Sequence, residues 1–182
     1  MIRTLGLIEL NSIARGYEVA DTMLKAAEVE LLKAHTICPG KLITMVSGDV
    51  GAVKASVQAG VEAGCENVVD QLVLPNLSTQ IIPAITGCTM VILEDSVGVM
   101  EFFSVASAVV AADKALKAAN VSLVDLRLGF AIGGKAYVIL TGDVSAITAA
   151  VDAGARVGEE SGMLVRKVVI PRPHGALRHV FL

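Results

Sequence analysis

Residues 5–32, LGLIELNSIARGYEVADTMLKAAEVELL, lie over residues 97–124, VGVMEFFSVASAVVAADKALKAANVSLV. Glu9 falls on Glu101, Ser12 on Ser104, and Ala20-Asp21 on Ala112-Asp113; Leu24-Lys25-Ala26-Ala27 falls on Leu116-Lys117-Ala118-Ala119. Further along, PGKLITMVSGDVGAV matches GGKAYVILTGDVSAI after a small insertion in the second copy, and QLVLP matches KVVIP. The order of matches never scrambles. Repeats of this length decide the architecture before any single element does, so the chain is a tandem duplication.

Each copy has the same internal rhythm. Leu5–Leu10 is a short apolar strand. Ser12 is placed to cap a helix whose apolar face is Ile13, Tyr17, Ala20, Leu24 and Ala27, repeated as Val105, Val109, Ala112, Leu116 and Ala119. Two strands follow, joined by a loop containing Pro39-Gly40 or Gly133-Gly134. Gly48-Asp49 and Gly142-Asp143 end a strand and open a second helix, with Val50, Val53 and Val57 inward. Strands at 68–74 and 164–170 close the units. The expected fold is α+β: two tandem ferredoxin-like β-α-β-β-α-β domains, each an antiparallel sheet with its helices on one face. We place them at residues 1–90 and 91–182, joined through ITGCTMVILEDS.

Composition narrows the function classes. The chain is 54% hydrophobic, 18% charged and 3% aromatic, too apolar for disorder. Such a chain buries nearly everything or covers its surface by association, and we read it as an oligomer. A net charge of -3 gives no clustered basic footprint, so no nucleic-acid partner is expected. Three widely spaced cysteines argue against a secreted disulfide framework, and MIRTLGLIEL lacks a signal-peptide layout. VGVMEFFSVASAVVAA is short for a membrane span, holds Glu101, and repeats a strand-helix unit found elsewhere in the chain. No membrane association is expected.

No catalytic constellation stands out. There is no P-loop or dinucleotide glycine fingerprint, no zinc-spaced His/Cys pair, and His35, His174 and His179 sit in no triad context. Glu9 and Glu101 read as strand-closing carboxylates that meet a backbone or basic partner. Cys65, at a helix end, and Cys88, in the linker, read as structural. Cys38, in HTICPGK, stands alone; taken by itself it is a small buried thiol or a ligand that needs companions from elsewhere. A fold of this kind does not name a function.

Several segments together resemble the shell proteins of bacterial microcompartments: MLKAAEVELL, SGDVGAVKASVQAG and VVIPRPH. The resemblance covers nearly the whole chain and is strongest to the tandem-domain, trimeric, propanediol-utilisation branch, where TICPGK and IGGK fall in the first and second repeats. It implies a non-enzymatic tile: a homotrimer of two-domain chains, pseudo-hexagonal, packed edge to edge with other shell proteins around encapsulated enzymes. The place implied is the shell of a cytoplasmic organelle. The pore would be lined by loops at 36–41 and 131–135: Ile37, Cys38, Pro39, Gly40 and Lys41 from one repeat, and Ile132, Gly133, Gly134 and Lys135 from the other. The same resemblance implies a [4Fe–4S] cluster held on the threefold axis by Cys38 of each chain, for electron transfer to encapsulated redox enzymes or for cluster delivery. Thiolates suit such a cluster. Pro39 would stiffen the approach, Gly40 would bring an N–H near sulfur, and an inward Lys41 would favour the thiolate. The second loop has no thiol. Lys25, Lys117 and Arg172 take tile-edge positions by the same resemblance, with Asn76 standing where the first copy would have its arginine. Two rival readings stay open: a metal-free tile whose pore conducts small polar metabolites, and a soluble ferredoxin-like enzyme or ligand sensor.

Overall fold

The computed structural model describes residues 4–93, 95–177 and 180–181; His179 lies outside them. The chain divides into two compact units between Leu77 and Ser78. The first runs β1 (Thr4–Leu10), α1 (Ile13–Ala26), β2 (Glu30–Ile37), β3 (Lys41–Gly48), α2 (Val50–Gly64) and β4 (Val68–Leu74). Its sheet order is β2-β3-β1-β4, antiparallel throughout. The second opens with a short helix, α3 (Ile81–Thr86), then repeats the pattern as β5 (Ser96–Phe102), α4 (Val105–Ala118), β6 (Ser122–Leu128), β7 (Ala136–Gly142), α5 (Val144–Ser161) and β8 (Leu164–Pro171). The order β6-β7-β5-β8 matches the first sheet strand for strand.

The helices of the first unit share one face of its sheet. Gly6 of β1 meets Val53 and Val57 of α2, and Gly16 of α1 meets Leu42, which stands opposite Leu10 on β1. Gly6, Ile8 and Leu10 alternate onto that face, and Ile8, Leu10, Val19, Met23, Val46, Val53 and Val57 form the core between the layers. The α1 face differs from the expected one. Its buried residues are Gly16, Val19, Ala20 and Met23, while Ile13, Tyr17 and Leu24 stay exposed. Gly16 lets the helix approach Leu42 closely, and that contact turns the Gly16, Val19, Ala20 and Met23 side inward. Val50 is likewise exposed, with Val53 and Val57 inward as expected. Ser12 and Ser104 cap α1 and α4 by accepting from Arg15 N and Ser107 N. Asp49 and Asp143 hold the N-cap positions without a side-chain cap bond.

The domain division falls earlier than residue 90 because the linker belongs to the second unit. Ser78 N donates to Asp113 Oδ1 at 2.8 Å. The Gln80 side chain serves the β6 edge twice: Nε2 donates to Val121 O, and Oε1 accepts from Leu123 N. Thr89 Oγ1 donates to Val124 O. The last three bonds satisfy backbone groups of β6 and of the residue just before it. Among the described residues no helix is long and apolar enough to cross a membrane.

Candidate functional site

The two hairpin loops, β2–β3 and β6–β7, carry the residues singled out in the sequence. In the first, Ile37 pairs with Lys41 across the hairpin and Gly40 N donates back to Ile37 O at 3.1 Å. Thr36, Ile37 and Lys41 are therefore strand residues, and the loop proper is Cys38–Gly40. Gly40 takes φ +80°, a conformation that glycine adopts without the Cβ penalty. The Cys38–Pro39 peptide is cis. Ile37 is buried, Cys38 is half-exposed with a free thiol, and Pro39 and Gly40 are exposed.

The second loop is longer and differently built. Gly129 N donates to Lys135 O, and Lys135 N to Ile132 O. Ala131, Gly133 and Gly134 have φ of +60°, +67° and +78°. Phe130, absent from the expected set, projects from this loop with 61% of its surface exposed. An aromatic at the head of a glycine-rich loop was the signal that could have found it.

The loop lysines do not point where the sequence reading put Lys41. Its Nζ lies 2.6 Å from Glu9 Oε1, and the Glu9 side chain is only 4% exposed. Lys135 makes the equivalent bond to Glu101 at 2.9 Å, with 35% of the Glu101 side chain exposed. The register explains the repetition. Glu9 stands opposite Ile43 and Glu101 opposite Tyr137, so each lysine is a diagonal cross-strand neighbour on the same face. Glu9 and Glu101 thus meet basic partners, as their strand-closing positions suggested.

The proposed edge residues are not equivalent to one another. Lys25 pairs with Asp21 on α1, both well exposed at 74% and 61%. Lys117 pairs with Asp113, whose side chain is 2% exposed and also accepts Ser78 N. Arg172 is exposed at φ +48°, and Asn76 takes φ +54° at the matching turn of the first unit. The duplicated turn therefore keeps its geometry while changing its side chain.

On β2 and β6 the two units diverge. His35 is half-buried with its Nδ1 unpartnered, and burial, followed by the nearby Lys33 charge, lowers its pKa. The matching register of the second unit holds Arg127, with Asp125 accepting from it at 3.2 Å, and Tyr137 across the strand pair. The Asp125 charge raises the Arg127 pKa, and burial raises that of Tyr137, with Asp125 adding to it. His174 sits in an exposed turn and accepts Ala176 N. Cys65 and Cys88 are exposed and free rather than packed inside. Among the described residues no group of three or more His, Cys, Asp or Glu could hold a metal within one chain. Among the described residues, the groove at Thr89, Met90, Val91, Ile92 and Val124 is lined by no titratable side chain.

Comparison with known proteins gives a consistent answer. A family profile, BMC domain, matches residues 4–77 and again residues 96–173. The bacterial microcompartment shell protein PduT of Citrobacter freundii is 46% identical over 177 residues, which cover 97% of this chain and 96% of that one. EutM of Salmonella typhimurium, also a bacterial microcompartment shell protein, is 41% identical over 88 residues; they cover 48% of this chain and 88% of that one. A crystal structure of a microcompartments protein from Desulfitobacterium hafniense DCB superposes with a TM-score of 0.93 at 49% identity, covering 98% of this chain and 99% of the other.

Proposed function

This chain belongs to the BMC-domain family of bacterial microcompartment shell proteins, and we propose that it works as a homotrimeric, pseudo-hexagonal tile whose opening carries a [4Fe–4S] cluster on three symmetry-related Cys38 thiolates. Family membership sets the coarser function: a structural component resident in the shell, associating with other shell proteins. The trimer, the opening and the metal go further.

The observation that carries the reading is the setting of Cys38. It is a free, half-exposed thiol that opens a short hairpin loop, and among the described residues no group of three or more His, Cys, Asp or Glu could hold a metal within the chain. A cluster here would draw its ligands from other copies, and a threefold axis through the loops would supply them. The donor fits the group, since thiolates are the usual cluster ligands. When bound, such a cluster supplies one-electron redox chemistry. Cys38 would hold it, and Pro39 and Gly40 would shape the approach to sulfur. Large apolar side chains left exposed on the single chain support assembly: Ile13, Tyr17, Met90, Ile92, Phe103 and Phe130. Electron transfer across the shell and cluster delivery to encapsulated redox enzymes are the roles this site would serve.

Anaerobic purification with iron and acid-labile sulfide analysis tests the assignment. The wild-type protein should carry about four irons per trimer, and Cys38→Ala should lose them while eluting as the same trimer in size-exclusion chromatography. Equal iron content in the two proteins refutes the cluster. An iron-free wild type that still forms trimers leaves a metal-free tile, whose opening passes small polar metabolites between glycine-lined loops.

A further inference from the structure

The lysines at the loop roots carry a consequence for what crosses the tile. We infer that Glu9 and Glu101 determine the ion selectivity of the opening, by holding Lys41 and Lys135 in neutral pairs at the roots of its loops. The inference rests on the reading of these loops as pore-lining.

The pair is built twice from sequence positions that keep their register. Glu9–Lys41 spans 2.6 Å and Glu101–Lys135 spans 2.9 Å. A different loop leads into each lysine, Cys38–Gly40 in one unit and a longer run containing Phe130, Ala131 and Gly133 in the other. A pair that survives such a change of loop is a property of the strand framework, set by the diagonal placement of glutamate and lysine on one face. The pairing also has an electrostatic reason. Glu9 is almost wholly buried, and a buried carboxylate needs a cation. The lysine that satisfies it is the residue that directly follows the loop.

In the proposed ring of three chains, Lys41 and Lys135 of each chain would both stand near the opening. Rings of lysine or arginine favour anion passage. Paired with carboxylates, these lysines contribute little net field. Released from them, they would turn toward the loop side and present an excess of positive charge. Selectivity would then depend on two carboxylates outside both loops.

The test uses planar-bilayer conductance of the full-length protein, purified with a chelator so that no metal occupies the opening, under a potassium chloride gradient. Glu101→Gln is the informative variant, because its pair is partly exposed and its loss leaves no deeply buried lysine. Circular dichroism and size-exclusion chromatography establish that the variant folds and assembles as wild type does. The expected result is a several-fold rise in the chloride-to-potassium permeability ratio, returned to the wild-type value in Glu101→Gln/Lys135→Gln. An unchanged ratio in Glu101→Gln overturns the inference and leaves the pore reading standing. So does a shift that the double variant fails to reverse. No conductance from wild-type protein overturns the pore reading, and the inference with it.

Discussion

His35 is where a single residue ties folding to pH. It sits on β2, half-buried, with a buried Nδ1 that finds no partner. Burial, then the charge of Lys33, lowers its pKa below the ordinary value of 6.5. The folded protein therefore binds this proton less readily than the unfolded chain does. Stability from the neutral imidazole is complete above about pH 6.5 and declines as pH falls from there through the folded pKa. Thermal unfolding followed between pH 7.5 and 5.5 should show a falling midpoint in the wild type. His35→Gln removes the titrating group and should give a shallower fall; parallel curves for the two proteins would remove His35 as the cause. Arg127, at the matching register of the second unit, is held by Asp125 and stays charged throughout this range. Duplication kept the strand and not its chemistry.

At the scale of elements, the helix–sheet contact is set by what the strands leave out. Gly6 and Gly98 occupy the same place in β1 and β5. A Cβ on Gly98 would lie 2.5 Å from Val151 Cγ2 and 2.9 Å from Ile147 Cγ2; on Gly6 it would lie 2.8 Å from both Val53 Cγ1 and Val57 Cγ2. Those neighbours are branched side chains on α5 and α2, packed in the core and slow to yield. Gly98→Ala should therefore destabilise by about 1–3 kcal/mol through overpacking, read from the urea unfolding midpoint. Gly51→Ala, which meets nothing within 4 Å, serves as the control. Periodicity made the strands and four long helices legible, because alternation and helical spacing survive in both copies. It failed on α1, where apolar residues line two sides and only close approach to Leu42 selects the Gly16 side. It also missed α3, a short helix containing Pro83, whose place depends on side-chain bonds to β6 distant in sequence. The hairpin loops were located by their Pro and Gly residues, but the lysine pairing across them needed the register. That register follows from strand pairing rather than from any local pattern.

For the whole molecule, duplication gives each position of the BMC domain two copies that are free to diverge. The proposed tile-edge lysines illustrate the divergence. Lys25 is exposed and paired with an exposed Asp21; pairs of that kind contribute little to stability, so exchanging that pair for the proposed contact with a neighbouring tile would cost little. Lys117 is bound to Asp113, which is buried and also anchors Ser78 at the start of the linker. Loss of Lys117 removes the cation from that carboxylate inside the protein, while loss of Lys25 removes a surface contact. The two substitutions should separate accordingly. Lys25→Ala should leave the thermal unfolding midpoint within a degree or so of wild type, as expected for an exposed pair, and should weaken the formation of extended sheets seen by negative-stain microscopy. Lys117→Ala should destabilise the chain by about 1–3 kcal/mol, with sheet formation reduced no more than that loss of folded protein explains. Sheets of undiminished extent from Lys25→Ala would show that tiles join elsewhere. The exposed Arg172 turn is then the next surface to test, because its backbone conformation is kept in both units while arginine occupies only one.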